Sequence, residues 1–119
     1  MFDDSRPIFQ QLAERIEADI LRGVYAEDEQ VPSTNELAGF MRINPATAGK
    51  ALNLLVDRGV IFKRRGIGMF VSPGARALIA TERQEGFREH FVAPLLAEAD
   101  TLGLTTQDVI RLIEKESEK

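Results

Sequence analysis

The chain has 119 residues and no cysteine, so it is long enough for one compact module with an extension and has no disulfide or thiolate chemistry. Its net charge of −4 and pI near 5.0 argue, taken as averages, against a polyanionic partner. The charge is nevertheless divided, because residues 1–40 carry −6, residues 41–76 carry +6 and residues 77–119 carry −4. A local excess of positive charge is what contact with nucleic-acid phosphates needs, and a solvated basic face is the alternative.

The N-terminal stretch MFDDSRP is acidic where a secretion signal is basic. No apolar run approaches the ~20 residues of a membrane span. We therefore expect a cytoplasmic protein that does not enter a membrane.

The first predicted element is an amphipathic helix over residues 7–22. Its apolar residues recur at spacings of three and four, Pro7 suits the first turn and Gly23 ends the pattern. An acidic loop follows, in which Gln30 and Val31 are expected to form a short strand.

A helix-turn-helix is predicted next. Ser33 and Glu36 form a capping box that begins a helix of about two and a half turns. After the three residues 42–44, Asn44 caps a further helix that starts at Pro45 and ends at Gly59. Two short helices joined by so tight a turn are typical of this motif.

A β-hairpin is predicted after the second of these helices. Residues 61–65 and 69–71 form its strands, and residues 66–68 form its turn. The order of elements is that of a winged helix-turn-helix, which predicts a mainly α fold with a small β-hairpin.

The helix that starts at Pro45 has a polar exposed face at its N-terminal end. With Leu52 at the centre of the buried side, 100° per residue places Ala46, Thr47, Lys50 and Asn53 outside. Leu54 also falls outside and is expected to pack under the wing. Gly49 lies about 60° from the buried centre, so it permits either close helix packing or close approach of DNA.

The candidate DNA contacts lie in three places: at the start of the first short helix, around the turn and the exposed face of the second, and at the hairpin tip. Small or hydrogen-bonding groups at a helix N-terminus suit the major groove, and a slim cationic tip suits the minor groove or a phosphate. They are Ser33, Thr34, Asn35, Arg42, Asn44, Thr47, Lys50, Lys63, Arg64, Arg65, Gly66 and Gly68.

Residues 75–119 are predicted to be helical, with a break or kink near Pro94, a helix end at Gly103 and a new start at Thr105 or Thr106. So short a segment cannot enclose its own core, so its apolar residues need another surface. We expect residues 1–74 to form the winged helix and residues 75–119 to form a helical dimerisation segment. The predicted dimer contacts are Phe87, Phe91, Leu95, Leu102, Val109, Ile110 and Ile113.

Several stretches together resemble the DNA-binding domain of the GntR family of transcriptional regulators. They are PIFQQLAERIEADILRG, VPSTNELA, INPATAGKAL, LVDRGVI and RRGIGMFV. The tail PLLAEADTLGLTTQDVIRLIEK is similar to that of the small YtrA-type subgroup. The resemblance implies a cytoplasmic bacterial homodimer that binds a palindromic operator, usually as a repressor, and often controls genes for membrane transporters.

The resemblance assigns DNA contacts to specific positions. They are Ser33, Asn35, Arg42, Asn44, Thr47, Lys50 and the wing from Arg65 to Gly68. The chain departs from the family at Asn35, and at Pro45 with Ala46, where many members carry arginine. Guanine readout by arginine from these positions is therefore absent. Glu27 and Asp28 replace a usual Pro-Gly turn.

Catalysis and cofactor binding are not expected. The single histidine, His90, has no second ligand at metal spacing and no nucleophile beside it, and RGIGMF lacks the Lys-Ser or Lys-Thr of a phosphate loop. No metal or cofactor is predicted. A small-molecule effector is left open, as is the alternative of a winged helix that binds protein and not DNA.

Overall fold

The computed structural model describes residues 2–119, which divide into two compact units, the first ending at Ala80 and the second running from Thr81 to Lys119. The division falls a few residues beyond the expected boundary at residue 74. The physical reason is that Ala75 and Ile79, although they begin the first tail helix, are buried in the core of the first unit.

The first unit is a winged helix-turn-helix with a three-stranded antiparallel sheet, which confirms the predicted fold class. Strand β3 is central, with β1 on one side and β2 on the other, and Phe62 of β2 pairs with Phe70 of β3. The elements are α1 (Ile8–Leu21), β1 (Gln30–Val31), α2 (Thr34–Met41), α3 (Pro45–Asp57), β2 (Ile61–Arg64), β3 (Gly68–Val71) and the beginning of α4 (Ala75–Phe87).

The core of this unit lies mainly between α1 and α3. Leu12 and Ile20 of α1 pack in one cluster with Leu52 and Leu55 of α3, and all four are buried. Burying each such side chain contributes roughly 1.5–3 kcal/mol, so this cluster fixes how α3 is held. The face of α3 opposite α1 is thereby left to solvent.

One charged residue lies within the apolar interface. Glu17 of α1 is 3% exposed and pairs with Arg58, which follows the last turn of α3. The periodicity of α1 gave no sign of this pair, because Glu17 follows directly on the core residue Ile16. It ties the middle of α1 to the C-terminal end of α3.

The second unit contains the rest of α4, a π-helical turn (Arg88–Val92), α5 (Ala93–Thr101) and α6 (Thr106–Ser117). The chain keeps right-handed helical dihedrals on both sides of that turn, at Phe87 and Ala93. Pro94 lacks an N–H and cannot make an ordinary α-helical bond, and the wider turn precedes it. The expected break near Pro94 is therefore replaced by a continuous helix with one widened turn.

The last helix, α6, starts at Thr106, one of the two starts predicted from the sequence, and Thr105 caps it. Thr105 accepts a hydrogen bond from the backbone N–H of Asp108, and the Asp108 carboxylate accepts one from the N–H of Thr105. These bonds, together with Arg111, hold the pKa of Asp108 below its usual value. Within residues 2–119, no helix has the length and apolar character needed to cross a bilayer.

Candidate nucleic-acid interface

The N-terminal ends of α2 and α3 lie side by side. A Cβ placed on Gly49 would lie 3.7 Å from the Cγ2 atom of Thr34, at ordinary van der Waals distance. The absence of a side chain at Gly49 is therefore not required by the packing of the two helices. The predicted contact groups of α2 and α3 are brought together at this point.

The cap of α2 uses only part of its hydrogen-bonding capacity. The Ser33 hydroxyl oxygen accepts a bond of 3.2 Å from the N–H of Glu36, and the Glu36 carboxylate accepts one of 3.0 Å from the N–H of Ser33. The bond from Ser33 holds the pKa of Glu36 below its usual value, so the carboxylate stays charged beside this helix end. The Ser33 hydroxyl proton remains for an acceptor outside the chain.

Asn44 caps α3 in the same partial way. Its side-chain oxygen accepts a bond of 2.8 Å from the N–H of Ala46, which leaves the amide N–H groups without a partner among residues 2–119. An exposed donor held at the start of a helix is suited to a phosphate oxygen or a base edge.

Arg42 occupies a backbone conformation that L residues rarely adopt. Its φ of 54° and ψ of 50° are left-handed, at the end of α2 where glycine or asparagine is usual. Its N–H donates a hydrogen bond to the carbonyl of Ala38, and its side chain is exposed. A costly backbone conformation at a residue with an exposed guanidinium is consistent with a functional contact.

The structure places the predicted outer residues of α3 largely as expected. Ala46, Lys50 and Asn53 are exposed, whereas Thr47 is half-buried. The Lys50 ammonium nitrogen lies 5.2 Å from the centre of the Phe9 ring, so Phe9, near the start of α1, helps to position this cation. Leu54 is half-buried against the core cluster.

In the wing, Arg64 is held by aromatic rings. The rings of Phe62 and Phe70 stack across the strand pair with centres 6.0 Å apart, and the Arg64 guanidinium lies 4.7 Å from the centre of Phe70 and 5.5 Å from that of Phe62. Lys63 and Arg65 are exposed and make no ion pair or ring contact within residues 2–119. Among the three wing cations, Arg64 thus has a structural role that sequence reasoning missed.

The tip of the wing is fixed through its backbone. The N–H of Ile67 donates to the carbonyl of Arg64 at 3.0 Å, and the carbonyl of Ile67 accepts from the side-chain amide of Gln30 at 3.1 Å. Gly66 and Gly68 on either side have φ of 78° and 149°, and a Cβ on Gly68 would collide with the Gln30 amide. Only a glycine fits here without strain.

Six of the predicted dimer contacts are exposed in the single chain. Val109 differs, since it is 4% exposed and already packed within the second unit. The Phe87 and Phe91 rings contact each other with centres 5.5 Å apart. The six exposed residues are Phe87, Phe91, Leu95, Leu102, Ile110 and Ile113.

An open apolar groove of about 300 Å³ lies between α5 and α6. Leu95, Leu102 and Ile113 line it, and the carboxyl-bearing residues Glu98 and Glu116 flank it. His90 is exposed, and residues 2–119 contain no group of three or more histidines and carboxylates placed to hold a metal ion.

Comparison with known proteins gives consistent results. The gntR family of bacterial regulatory proteins matches residues 8–71, more than half of the chain. The HTH-type transcriptional repressor YtrA of Bacillus subtilis is 29% identical over 85 residues, which cover 71% of this chain and 65% of that protein.

Two solved structures are also similar. A transcriptional regulator from Bacteroides thetaiotaomicron, assigned to the GntR family, is 33% identical with a TM-score of 0.80, and the match covers 93% of this chain and 96% of that one. The DNA-binding domain of AraR in complex with operator ORX1 is 28% identical with a TM-score of 0.57. That match covers 60% of this chain and 93% of the AraR chain.

Proposed function

Because the chain belongs to the GntR family of bacterial regulatory proteins, we propose that it is a cytoplasmic transcriptional repressor that acts as a homodimer on an inverted-repeat operator. Membership confirms the resemblance inferred from the sequence, and similarity to the repressor YtrA agrees with the subgroup. The family consists of regulators, which confirms the prediction that the chain is not an enzyme.

The observation that carries the proposal is the set of unused donors and exposed cations around α2, α3 and the wing. Ser33 and Asn44 cap helices with their oxygens and keep donors for an outside acceptor. Lys50 and Arg42 add exposed charge at the same helix pair. Donors and cations at paired helix ends suit phosphates and base edges, and the similar AraR domain is seen on operator DNA.

The tail supports the homodimeric part of the proposal. Large apolar side chains exposed along α4, α5 and α6 need a covering surface, and a second copy supplies one with the same stripe. A two-fold dimer would set its two α3 helices about 34 Å apart, one duplex turn, which is why an inverted repeat is proposed. By analogy with its subgroup, we propose transporter genes as targets. An effector, if one acts, would bind at the groove between α5 and α6 or at the dimer interface.

The deciding experiment is selection of DNA from a random duplex library by the purified full-length protein, followed by a gel shift with the selected sequence. We expect an inverted repeat, binding that weakens steeply with added salt, and at least about a tenfold loss for Lys50→Ala and for Asn44→Ala. Lys115→Ala, an exposed cation near the end of α6, is the matched control and should bind normally.

Two outcomes would overturn the proposal. Failure to enrich any sequence would favour a winged helix that binds protein. Enrichment with undiminished binding by Lys50→Ala and Asn44→Ala would place the DNA on another surface.

A further inference from the structure

The side chain of Ile67 is 63% exposed at the tip of the wing, although a large apolar side chain at a hairpin tip gains nothing from solvent. The position is not a flexible one, because both backbone polar groups of Ile67 are bonded within the first unit. The N–H of Ile67 donates to the carbonyl of Arg64. The carbonyl of Ile67 accepts a hydrogen bond from the side-chain amide of Gln30, which lies in β1. Ile67 therefore presents only its hydrocarbon side chain outward.

The charges around the tip restrict what Ile67 can meet. Lys63 and Arg65 are exposed on the same hairpin, whereas the Arg64 guanidinium lies over Phe62 and Phe70. An apolar tip on a hairpin that also carries two exposed cations, Lys63 and Arg65, is unsuited to an apolar protein surface. It is suited to a narrow groove with phosphates on both walls, which is the minor groove of DNA.

We propose that Ile67 is a specificity-determining residue that enters the minor groove beside each half-site and favours A·T over G·C base pairs there. This inference rests on the proposed function. The floor of the minor groove carries acceptors at every base pair, and a G·C pair adds the 2-amino group of guanine. An isoleucine cannot accept a hydrogen bond from that group. At a G·C pair its side chain would therefore contact the 2-amino group and bury it without a hydrogen-bond partner.

The narrow minor groove of A·T-rich sequence acts in the same direction. Its stronger negative potential attracts cations, so Lys63 and Arg65 are bound more favourably at the same A·T-rich sequence that accommodates Ile67. Sequence preference at the flank thus needs no hydrogen bond from the wing to a base.

The test uses the duplex selected with the full-length protein, with each flanking base pair changed in turn to G·C, inosine·C or 2,6-diaminopurine·T. Inosine·C keeps the guanine pattern in the major groove and removes the 2-amino group, whereas diaminopurine·T adds that group to an A·T pair. At the pair contacted by the wing, we expect G·C and diaminopurine·T to weaken binding about five- to tenfold, and inosine·C to bind within about twofold of A·T.

The variant Ile67→Ala separates the side chain from the shape of the groove. Because the side chain is exposed, the variant should fold, and its four duplexes should bind within about twofold of one another. Val24→Ala, another exposed aliphatic residue of the first unit, is the control and should keep the full preference.

The inference is overturned if inosine·C binds as weakly as G·C, if no flanking pair shows a preference, or if Ile67→Ala retains the preference of the parent protein. In each case the proposed function would stand if the protein selected an inverted repeat and the Lys50→Ala variant bound that repeat more weakly. Failure of the selection itself would remove both.

Discussion

The buried carboxylate of Glu17 accepts a hydrogen bond of 3.2 Å from the guanidinium of Arg58, across the joint between α1 and the end of α3. The second carboxylate oxygen lies 3.0 Å from the other guanidinium nitrogen, within the distance of an ion pair. Glu17 is almost fully buried, whereas the Arg58 side chain is one-third exposed. The negative charge of Glu17 is thus balanced by Arg58, at the end of α3.

Arg58→Ala should lower the free energy of unfolding by about 2–3 kcal/mol, because it leaves a buried carboxylate without its cation. Urea denaturation followed by circular dichroism measures the change. Arg22→Ala removes an exposed partner of Asp19 and should change stability by less than about 0.5 kcal/mol. Equal effects of the two variants would show that the Glu17 site is solvated.

Arg42→Gly should make the protein more stable and a weaker DNA binder. Glycine adopts the left-handed conformation of residue 42 without steric strain, so we expect a gain of about 0.5–1 kcal/mol. Loss of the cation should reduce the slope of log K against log salt by about 0.9. Thermal denaturation and a salt titration measure the two effects.

Asp28→Gly is the matched control for that substitution, since Asp28 also has a left-handed backbone, with φ of 64°, but carries no cation. It should raise stability and leave the salt slope unchanged. If Arg42→Gly also bound DNA as tightly as the parent protein, the left-handed backbone at residue 42 would be a feature of the turn alone, and Arg42 would not contact DNA.

Gly49→Ala should raise stability by about 0.5–1 kcal/mol and leave DNA affinity within about twofold. A methyl group would meet Thr34 at ordinary contact distance, and alanine is the better helix former. Gly39→Ala, in α2, where the new methyl group would contact nothing beyond its adjacent residues and its own helix backbone, should raise stability by a similar amount. Lost binding with raised stability would indicate instead that DNA approaches Gly49 closely.

Arg64→Gln and Arg65→Gln should differ in their effects on DNA binding. Arg65 is exposed at the tip and is expected to contact a phosphate, so its loss should reduce the salt slope by about 0.9. Arg64 is engaged with Phe62 and Phe70, so its loss should lower the stability of the hairpin and leave the slope unchanged. Gel shifts over a series of salt concentrations measure both, and equal slopes for the two variants would contradict the assignment.

Phe91→Glu should convert the proposed dimer to a monomer, because a carboxylate would be buried where two apolar surfaces meet. Sedimentation at micromolar concentration measures the change. Val24→Glu, at an exposed apolar residue of the first unit, should leave the mass unchanged. A parent protein that sediments as a monomer would exclude the dimer directly.

Local signals accounted for most of the fold. The capping box at Ser33, and Asn44 before Pro45, act within a few residues of themselves, so the sequence alone predicted where α2 and α3 begin. For α6 the sequence predicted a start at Thr105 or Thr106, and in the structure Thr105 is the cap and Thr106 the first helical residue. The widened turn before Pro94 was not predicted, because a proline motif does not specify how the helix accommodates it.

Contacts between distant residues were the part that the sequence could not predict. The pairing of Glu17 with Arg58 joins residues 41 positions apart, and Arg64 meets Phe70 only through the register of two strands. Ile67 lies within the wing that the resemblance assigned to DNA, but an uncharged residue gives no sign of its own role; an aliphatic residue between two glycines at a hairpin tip is the usable signal. Which candidate groups are free and which are engaged followed only from the fold.

The π-helical turn at Arg88–Val92 acts as a phase shift in the long tail helix. Each residue of an α-helix advances about 100° around its axis, and a turn closed by an i→i+5 bond contains one residue more than its neighbours. Which side chains share a face after this turn is therefore set by the number of residues in it as well as by their identity. Deleting a single residue there would rotate Leu95 and everything beyond it in α5 away from Phe87, so the segment should be far more sensitive to changes of length than to substitution.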